Sequence, residues 1–203
     1  MYNFSIRSYS FWDKLHDLYG EIMENFKRFI DVVKKYAEAY KEFEEIQKAP
    51  DFDFMPEIGD QKTGIIGESF IYEYLKRQGH PNLEFGNHSQ KGWDIKYPFG
   101  LAPNGIVLVQ VKTVSAYSKT KAISNIYLAP DYCEIYLVSL DEDLIPDNIW
   151  KPRGFSPSKI KIQDGEEVVT GTRLPKNEND TASGFTELEN IFEDFKAVFT
   201  ELY

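Results

Sequence analysis

Residues Val107–Thr113 have the sequence VLVQVKT. It is dense in β-branched residues and predicts a buried strand. Because side chains alternate across a strand, Gln110 and Lys112 lie on the same face. A lysine is almost never fully buried without a partner, so Lys112 in such a strand needs an explanation.

Length and composition restrict the class of protein. The chain has 203 residues, of which 42% are hydrophobic and 28% charged, as in a globular protein with a sizeable core. A single cysteine, Cys133, excludes an internal disulfide and favours a reducing compartment. No apolar run has the length of a signal-peptide core or a membrane span, so we expect a cytoplasmic protein without membrane attachment.

The charge of the chain is unevenly distributed. The net charge of −10 argues against nucleic-acid binding, which depends on lysine and arginine. Residues 61–130, however, carry eight basic and only four acidic groups, and this window contains VLVQVKT. A locally positive cleft in an acidic protein therefore stays open.

The N-terminal part predicts a long amphipathic helix from Phe11 to Gln47, which Gly20 might interrupt. Ala49-Pro50 ends it, and 51–60 reads as a linker. The helix has an apolar residue at every third or fourth position: Phe11, Leu15, Leu18, Ile22, Phe26, Phe29, Val33, Tyr36, Tyr40 and Phe43. This stripe needs a partner surface, which is either the rest of the domain or a second subunit.

The middle part predicts a helix followed by strands. The helix runs from about Gln61 to Gln78, with Asp60 as its N-cap and Gly79 as its stop. The serine- and lysine-bearing stretch before the last strand has room for a short helix. The predicted strands are Leu83–Phe85, Trp93–Tyr97, Ile106–Val114 and Glu134–Leu140.

The C-terminal part predicts a hairpin and a helix. The hairpin spans Lys159–Val169 and turns at Asp164-Gly165. The helix spans about Thr186–Leu202, with a capping box formed by Thr186 and Glu189.

Polar residues from three predicted elements converge on one place. A hairpin around the Pro- and Gly-rich loop at 98–105 would bring Asp94 beside Gln110 and Lys112. Glu68 lies on the preceding helix, where Gly67 allows another backbone to approach closely. Taken singly, each has an ordinary explanation: a solvent-facing strand residue, a turn or salt-bridge carboxylate, a solvated helix residue. Their joint order, spacing and strand phase favour a functional cluster.

This order resembles the PD-(D/E)XK nuclease superfamily, whose core it matches over about residues 60–140. Glu68 on a helix, Asp94 on a strand and Gln110-x-Lys112 on the next strand correspond to the motif. Trp93 stands where the name-giving proline would be, and Gln110 replaces an acid, as in Mrr-type restriction endonucleases. The resemblance implies an α/β fold, a restriction-endonuclease-like core with a central mixed sheet flanked by helices. That domain would cover 60–203, with a long-helix extension at 1–49.

The resemblance also implies a Mg²⁺-dependent DNA endonuclease of restriction type, with Mn²⁺ as a substitute ion. Hydrolysis of a phosphodiester needs a hard cation, which prefers oxygen ligands. Asp94 would be the central ligand, Gln110 and Glu68 further ligands, and Lys112 would stabilise charge in the transition state. Double-stranded DNA would be contacted by lysines of the positive window, namely Lys91, Lys96, Lys119 and Lys121.

Two alternatives remain beside this expectation. Loss of an anionic ligand at Gln110 is also typical of a catalytically silent nuclease-like domain that binds nucleic acid or protein. Cleavage of both DNA strands is simplest for a homodimer, with the stripe of the first helix as its contact. The stripe could equally belong to the core of its own chain.

Overall fold

The computed structural model of the protein describes residues 11–47, 62–86, 92–102, 104–118, 120–128 and 133–203. The chain divides into two compact units, Met1–Met55 and Pro56–Tyr203. No helix in these ranges is both long and apolar enough to cross a membrane.

The first unit contains helix α1 (Phe11–Gln47), which continues through Gly20 without a break. Phe26, Ile30, Val33 and Ala37 are buried and follow one another at intervals of three or four residues. Because these intervals match the helical repeat, the four buried residues lie on one face of α1. For the stripe residues from Phe11 to Ile22, the structure describes the backbone and not the side chains.

The second unit is a mixed α/β domain. Its helices are α2 (Thr63–Arg77) and α3 (Phe192–Val198). Its strands are β1 (Glu84–Phe85), β2 (Ile95–Pro98), β3 (Ile106–Ser115), β4 (Ala122–Ile123), β5 (Ile126–Tyr127), β6 (Cys133–Leu140), β7 (Pro146–Phe155), β8 (Ile160–Gln163), β9 (Glu166–Val169), β10 (Thr172–Arg173) and β11 (Phe185–Asn190).

Six strands form the central sheet, in the order β1-β2-β3-β6-β7-β11. Strands β3 and β6 are parallel, and the other neighbours are antiparallel. Two small antiparallel sheets accompany it, one of β4 and β10 and one ordered β5-β9-β8. The predicted central mixed sheet is therefore confirmed.

The two faces of the sheet are covered differently. On one face α2 approaches β3 so closely that a Cβ on Gly67 would clash with Oγ1 of Thr113. The α3 ring of Phe195 packs against Phe70 of α2, with centroids 6.3 Å apart. The other face is apolar and lies under the small sheets, through a buried cluster that includes Val114, Ile123, Ile126, Ile135, Leu137, Trp150, Val169 and Leu174.

The four strands predicted in the middle part are confirmed within one or two residues at each end. The hairpin is confirmed as well, since Asp164 and Gly165 adopt the positive φ angles of 54° and 84° that its tight turn requires. Helix α2 begins at Thr63, after a cap residue, Lys62, whose side chain makes no capping bond. The proposed cap Asp60 lies outside the described residues.

The C-terminal helix is confirmed as α3 but begins later than predicted, and the short helix for which the sequence left room is not found in the described residues. Among the described residues between β3 and β6 there are only turns and the short strands β4 and β5. The C-terminal helix does not start at Thr186, because β11 continues to Asn190 and pairs with β7. The pattern of Thr186 and Glu189 resembles a capping box, yet pairing with a strand that the sequence did not reveal determines the structure there.

Candidate active site

The site lies where the central sheet opens beside β3. Strand β2 pairs with β3 only from Ile106 to Val109, whereas β3 continues to Ser115 and stays paired with β6 on its other side. Beyond Val109, therefore, one edge of β3 is no longer covered by β2. A polar side chain can reach this edge without breaking a backbone ladder.

Asp94 occupies the start of that open edge. It directly precedes β2, and its backbone N–H donates to the carbonyl of Val109 at 2.7 Å. Its carboxylate Oδ2 accepts the N–H of Val111, also at 2.7 Å. The side chain thus takes the place of the missing strand and is held in one orientation. Oδ1 accepts no hydrogen bond from the described residues and is available to a ligand.

Glu68 reaches the site from α2. The close contact between Gly67 and Thr113 fixes this turn of the helix against β3, next to Lys112. Oε1 of Glu68 lies 3.9 Å from the position of a Cβ on Gly64. The carboxylate therefore lies back along the helix, over a residue without a side chain.

Electrostatics show that the two acids and the lysine act on each other. Burial, and then the charge of Asp94, raise the pKa of Glu68 from 4.5 to about 7, against the lowering effect of Lys112. Burial also raises the pKa of Asp94, while the Val111 hydrogen bond and Lys112 lower it. Two carboxyl groups that hold their protons more strongly than usual thus face one ammonium group.

Lys112 is half-buried and is not neutralised by one partner. It makes no ion pair within 4 Å and no hydrogen bond with the residues that the structure describes. Its charge acts on both Glu68 and Asp94 across a longer distance. This answers the question that the strand raises, since Lys112 lies at the open edge of β3 and faces acids from two other elements.

Gln110 has a different environment from the one that the sequence suggested. Its side chain is 1% exposed, and its Oε1 accepts the N–H of Tyr127 at 3.0 Å. Its Nε2 donates to the carbonyl oxygen of Tyr127 and approaches Sγ of Cys133 at 3.2 Å. The amide thus pairs with the backbone of β5 as a strand would. The structure brings Glu68, Asp94 and Lys112 together and directs the Gln110 amide to β5.

The candidate DNA-binding lysines are only partly described. Lys96 is paired with Glu84 at 2.9 Å, and its ammonium lies 5.4 Å from the ring centroid of Trp93. Lys91 and Lys119 lie outside the described residues.

Lys121 is exposed, and its ammonium donates to the carbonyl of Ser115 at 3.3 Å. It therefore lies at the far end of β3, on the C-terminal side of Lys112.

The donor set fits a sparsely ligated hard cation. Within the described ranges, no group of three His, Cys, Asp or Glu side chains is arranged to hold a metal ion. Mg²⁺ is usually bound by only one or two carboxylates, with waters and phosphate oxygens completing its shell. The residues that would hold it are Asp94, whose Oδ1 accepts no hydrogen bond from the described residues, and Glu68. Burial and the nearby charge of Asp94 disfavour the ionised form of Glu68. A cation bound between the two carboxylates would stabilise their ionised forms.

The chain matches no protein-family model and no curated protein.

Proposed function

We propose that this protein is a divalent-cation-dependent DNA endonuclease with a restriction-endonuclease-like core, acting in the cytoplasm. The observation that carries the proposal is the convergence of Glu68, Asp94 and Lys112 at the open edge of β3. The order of a helix, two antiparallel strands and a parallel strand in a mixed sheet supports the same conclusion.

Each residue of the cluster has a separate task in this proposal. Asp94 and Glu68 hold Mg²⁺, which when bound polarises the phosphoryl oxygen and acidifies a water molecule. The Val111 N–H keeps the Asp94 carboxylate in position. Lys112, which forms no ion pair within 4 Å in the described part of the chain, orients the attacking water and stabilises the negative charge that develops on the phosphate. Gln110 acts as a positioning residue that ties β3 to β5.

The pKa of Glu68, about 7, gives the proposal a pH dependence. Below that pH the carboxyl group is protonated and is a poor ligand, so cation binding must displace a proton. We therefore expect cation affinity and cleavage to fall as pH falls through 7. Binding of Mn²⁺ at pH 7 should release protons, which calorimetry in buffers of different ionisation enthalpy measures.

The direct test is a plasmid-nicking assay with Mg²⁺ or Mn²⁺ and with EDTA. We expect cation-dependent nicking by the parent and none by Asp94→Asn, which keeps the shape of the side chain but removes its charge. Asp147→Asn, at an exposed position on β7, is the matched control and should cut like the parent. Nicking by Asp94→Asn at the parental rate would refute this active site.

A second candidate function is supported by Gln110. Since both ends of its amide are engaged by β5 and a cysteine, it supplies no ligand, and only two carboxylates remain. The protein would then be a catalytically silent nuclease-like domain that binds nucleic acid. Duplex binding by the parent, without nicking in any divalent cation, would identify this case.

Double-strand cleavage is simplest for a homodimer that presents one site to each strand. Light scattering of the intact protein at micromolar concentration, with and without duplex, measures the number of subunits. A single subunit in both states would refute the dimer.

A further inference from the structure

A basic recess lies beside the small sheet of β4 and β10. Arg173 pairs with Ala122 in this sheet, and the N–H of Leu174 donates to the carbonyl of Lys121 at 2.7 Å. The recess has a volume of about 350 Å³ and is lined by Lys121, Arg173, Leu174, Pro175 and Lys176. Leu174 and Pro175 are buried, so three cationic side chains surround a largely apolar floor.

The positive charge of this recess is only partly compensated. The guanidinium of Arg173 is held by Asp180, with Nη1 2.8 Å from Oδ2 and Nη2 2.9 Å from Oδ1. Oδ2 of Asp180 also accepts the backbone N–H of Lys176 at 2.9 Å. Asp180 therefore fixes Arg173 in place. The Lys176 ammonium is exposed and makes no ion pair within 4 Å with the described residues.

This charge stands out against its surroundings. Residues 131–203 carry seven basic and sixteen acidic groups, yet the recess collects Arg173 and Lys176 from that acidic region. The third cation, Lys121, comes from the positive window 61–130. At the recess, the pairing of β4 with β10 brings the two parts of the sequence together.

The recess is attached to the strand that carries the candidate active site. Lys121 donates to the carbonyl of Ser115, which lies three residues after Lys112 on β3. At about 3.3 Å per residue this separation is about 10 Å along the strand.

We propose that this recess binds backbone phosphates of the nucleic-acid strand whose scissile phosphate lies at Lys112. The ligand class rests on the proposed function, but the binding needs neither the metal nor cleavage. Arg173 supplies a preoriented planar cation, while Lys121 and Lys176 supply further point charges. Such contacts hold the nucleic-acid strand in place, and they do not depend on its base sequence.

The test is equilibrium binding of a fluorescent 30-base-pair duplex in EDTA, by anisotropy, from 50 to 200 mM salt. For the variant Lys121→Glu with Lys176→Glu we expect a loss of about tenfold or more in affinity at the lowest salt. The slope of log affinity against log salt should fall by about 2. Lys176→Glu alone should lower the slope by about 1 and leaves the Lys121 contact with Ser115 intact.

Lys161→Glu is the matched control, because it makes the same charge change at an exposed position of β8. It should bind within twofold of the parent and with the parental slope. Parental binding by both recess variants, or equal losses in the control, would overturn the proposal, as would a parent that binds no duplex. A parent that binds in this pattern without nicking in any cation would refute the nuclease and leave the recess standing.

Discussion

Two groups of polar side chains beside strand β3 behave in opposite ways: the surroundings of Gln110, here called the β5 flank, and the cluster of Glu68, Asp94 and Lys112, here called the α2 flank. Toward β5, the buried amide of Gln110 bonds with both backbone groups of Tyr127. In the cluster of Glu68, Asp94 and Lys112, the described residues form no ion pair within 4 Å between Glu68 and Lys112, and they donate a hydrogen bond to only one oxygen of Asp94. Paired polar groups hold a fold together, whereas convergent groups left without close partners are typical of a site awaiting a ligand.

This difference is best tested by changing one flank at a time. Substitutions on the α2 flank should alter chemistry more than stability. Those on the β5 flank should alter stability and leave the affinity for cations unchanged.

The largest effect is expected for Lys112→Ala. Removal of the ammonium should slow nicking by about 10²–10³-fold, as for loss of one preorganised charge in a transition-state site. Mn²⁺ binding, measured by calorimetry, should remain within a fewfold of the parent, because both carboxylates are kept. Lys76→Ala, on the exposed side of α2, is the control and should leave the rate unchanged. A Lys112→Ala protein that cuts within fivefold of the parent would remove the lysine from the mechanism.

On the β5 flank, Gln110→Glu should destabilise the protein and should not raise its affinity for divalent cations. A carboxylate cannot donate to the carbonyl of Tyr127, and it would be a charge at a position that is 1% exposed. We expect a loss of about 2–3 kcal/mol in the free energy of unfolding, measured by urea titration. Gln163→Glu, at an exposed position of β8, is the control. Parental stability with tighter Mn²⁺ binding would instead restore Gln110 as a ligand.

The α2 flank could be predicted from the sequence because its determinants are local. The β-branched run of β3, the loop at 98–105 and the apolar spacing of α2 fix the order and phase of Asp94, Lys112 and Glu68. A hairpin leaves little freedom of register, so the position of Asp94 beside β3 follows from strand alternation.

The β5 flank and the C-terminal strands could not be predicted in this way. Tyr127 belongs to a two-residue strand in a polar stretch, and no periodicity marks it as the partner of Gln110. Likewise, β11 exists only because β7 pairs with it across a long separation, while Thr186 and Glu189 locally favour a helix start. The one sign in the sequence was Gln110 itself, a polar residue in a strand otherwise fit for burial.

The smallest effect is expected for Glu68→Gln, which tests the α2 flank through the pH dependence of the free energy of unfolding. In the folded protein the pKa of Glu68 is raised from 4.5 to about 7. Below pH 4.5 the group is protonated in both states and contributes nothing. Between 4.5 and 7 the unfolded chain releases the proton while the folded chain retains it, so the stability of the parent falls as pH rises through this window. Because Glu68 is partly exposed, we expect the cost at pH 8 to be on the order of 1 kcal/mol.

Glu68→Gln should remove this cost, so the variant should be more stable than the parent at pH 8 and indistinguishable from it at pH 4. Urea titrations from pH 4 to 8 without divalent cations measure the difference, and exposed Glu166→Gln should run parallel to the parent. Added Mn²⁺ should stabilise the parent at pH 8 and the variant much less, because a cation bound between Glu68 and Asp94 replaces the proton that burial favours. Parallel curves for Glu68→Gln and the parent would mean that Glu68 is an ordinary solvated carboxylate. The α2 flank would then differ from the β5 flank only in Asp94 and Lys112.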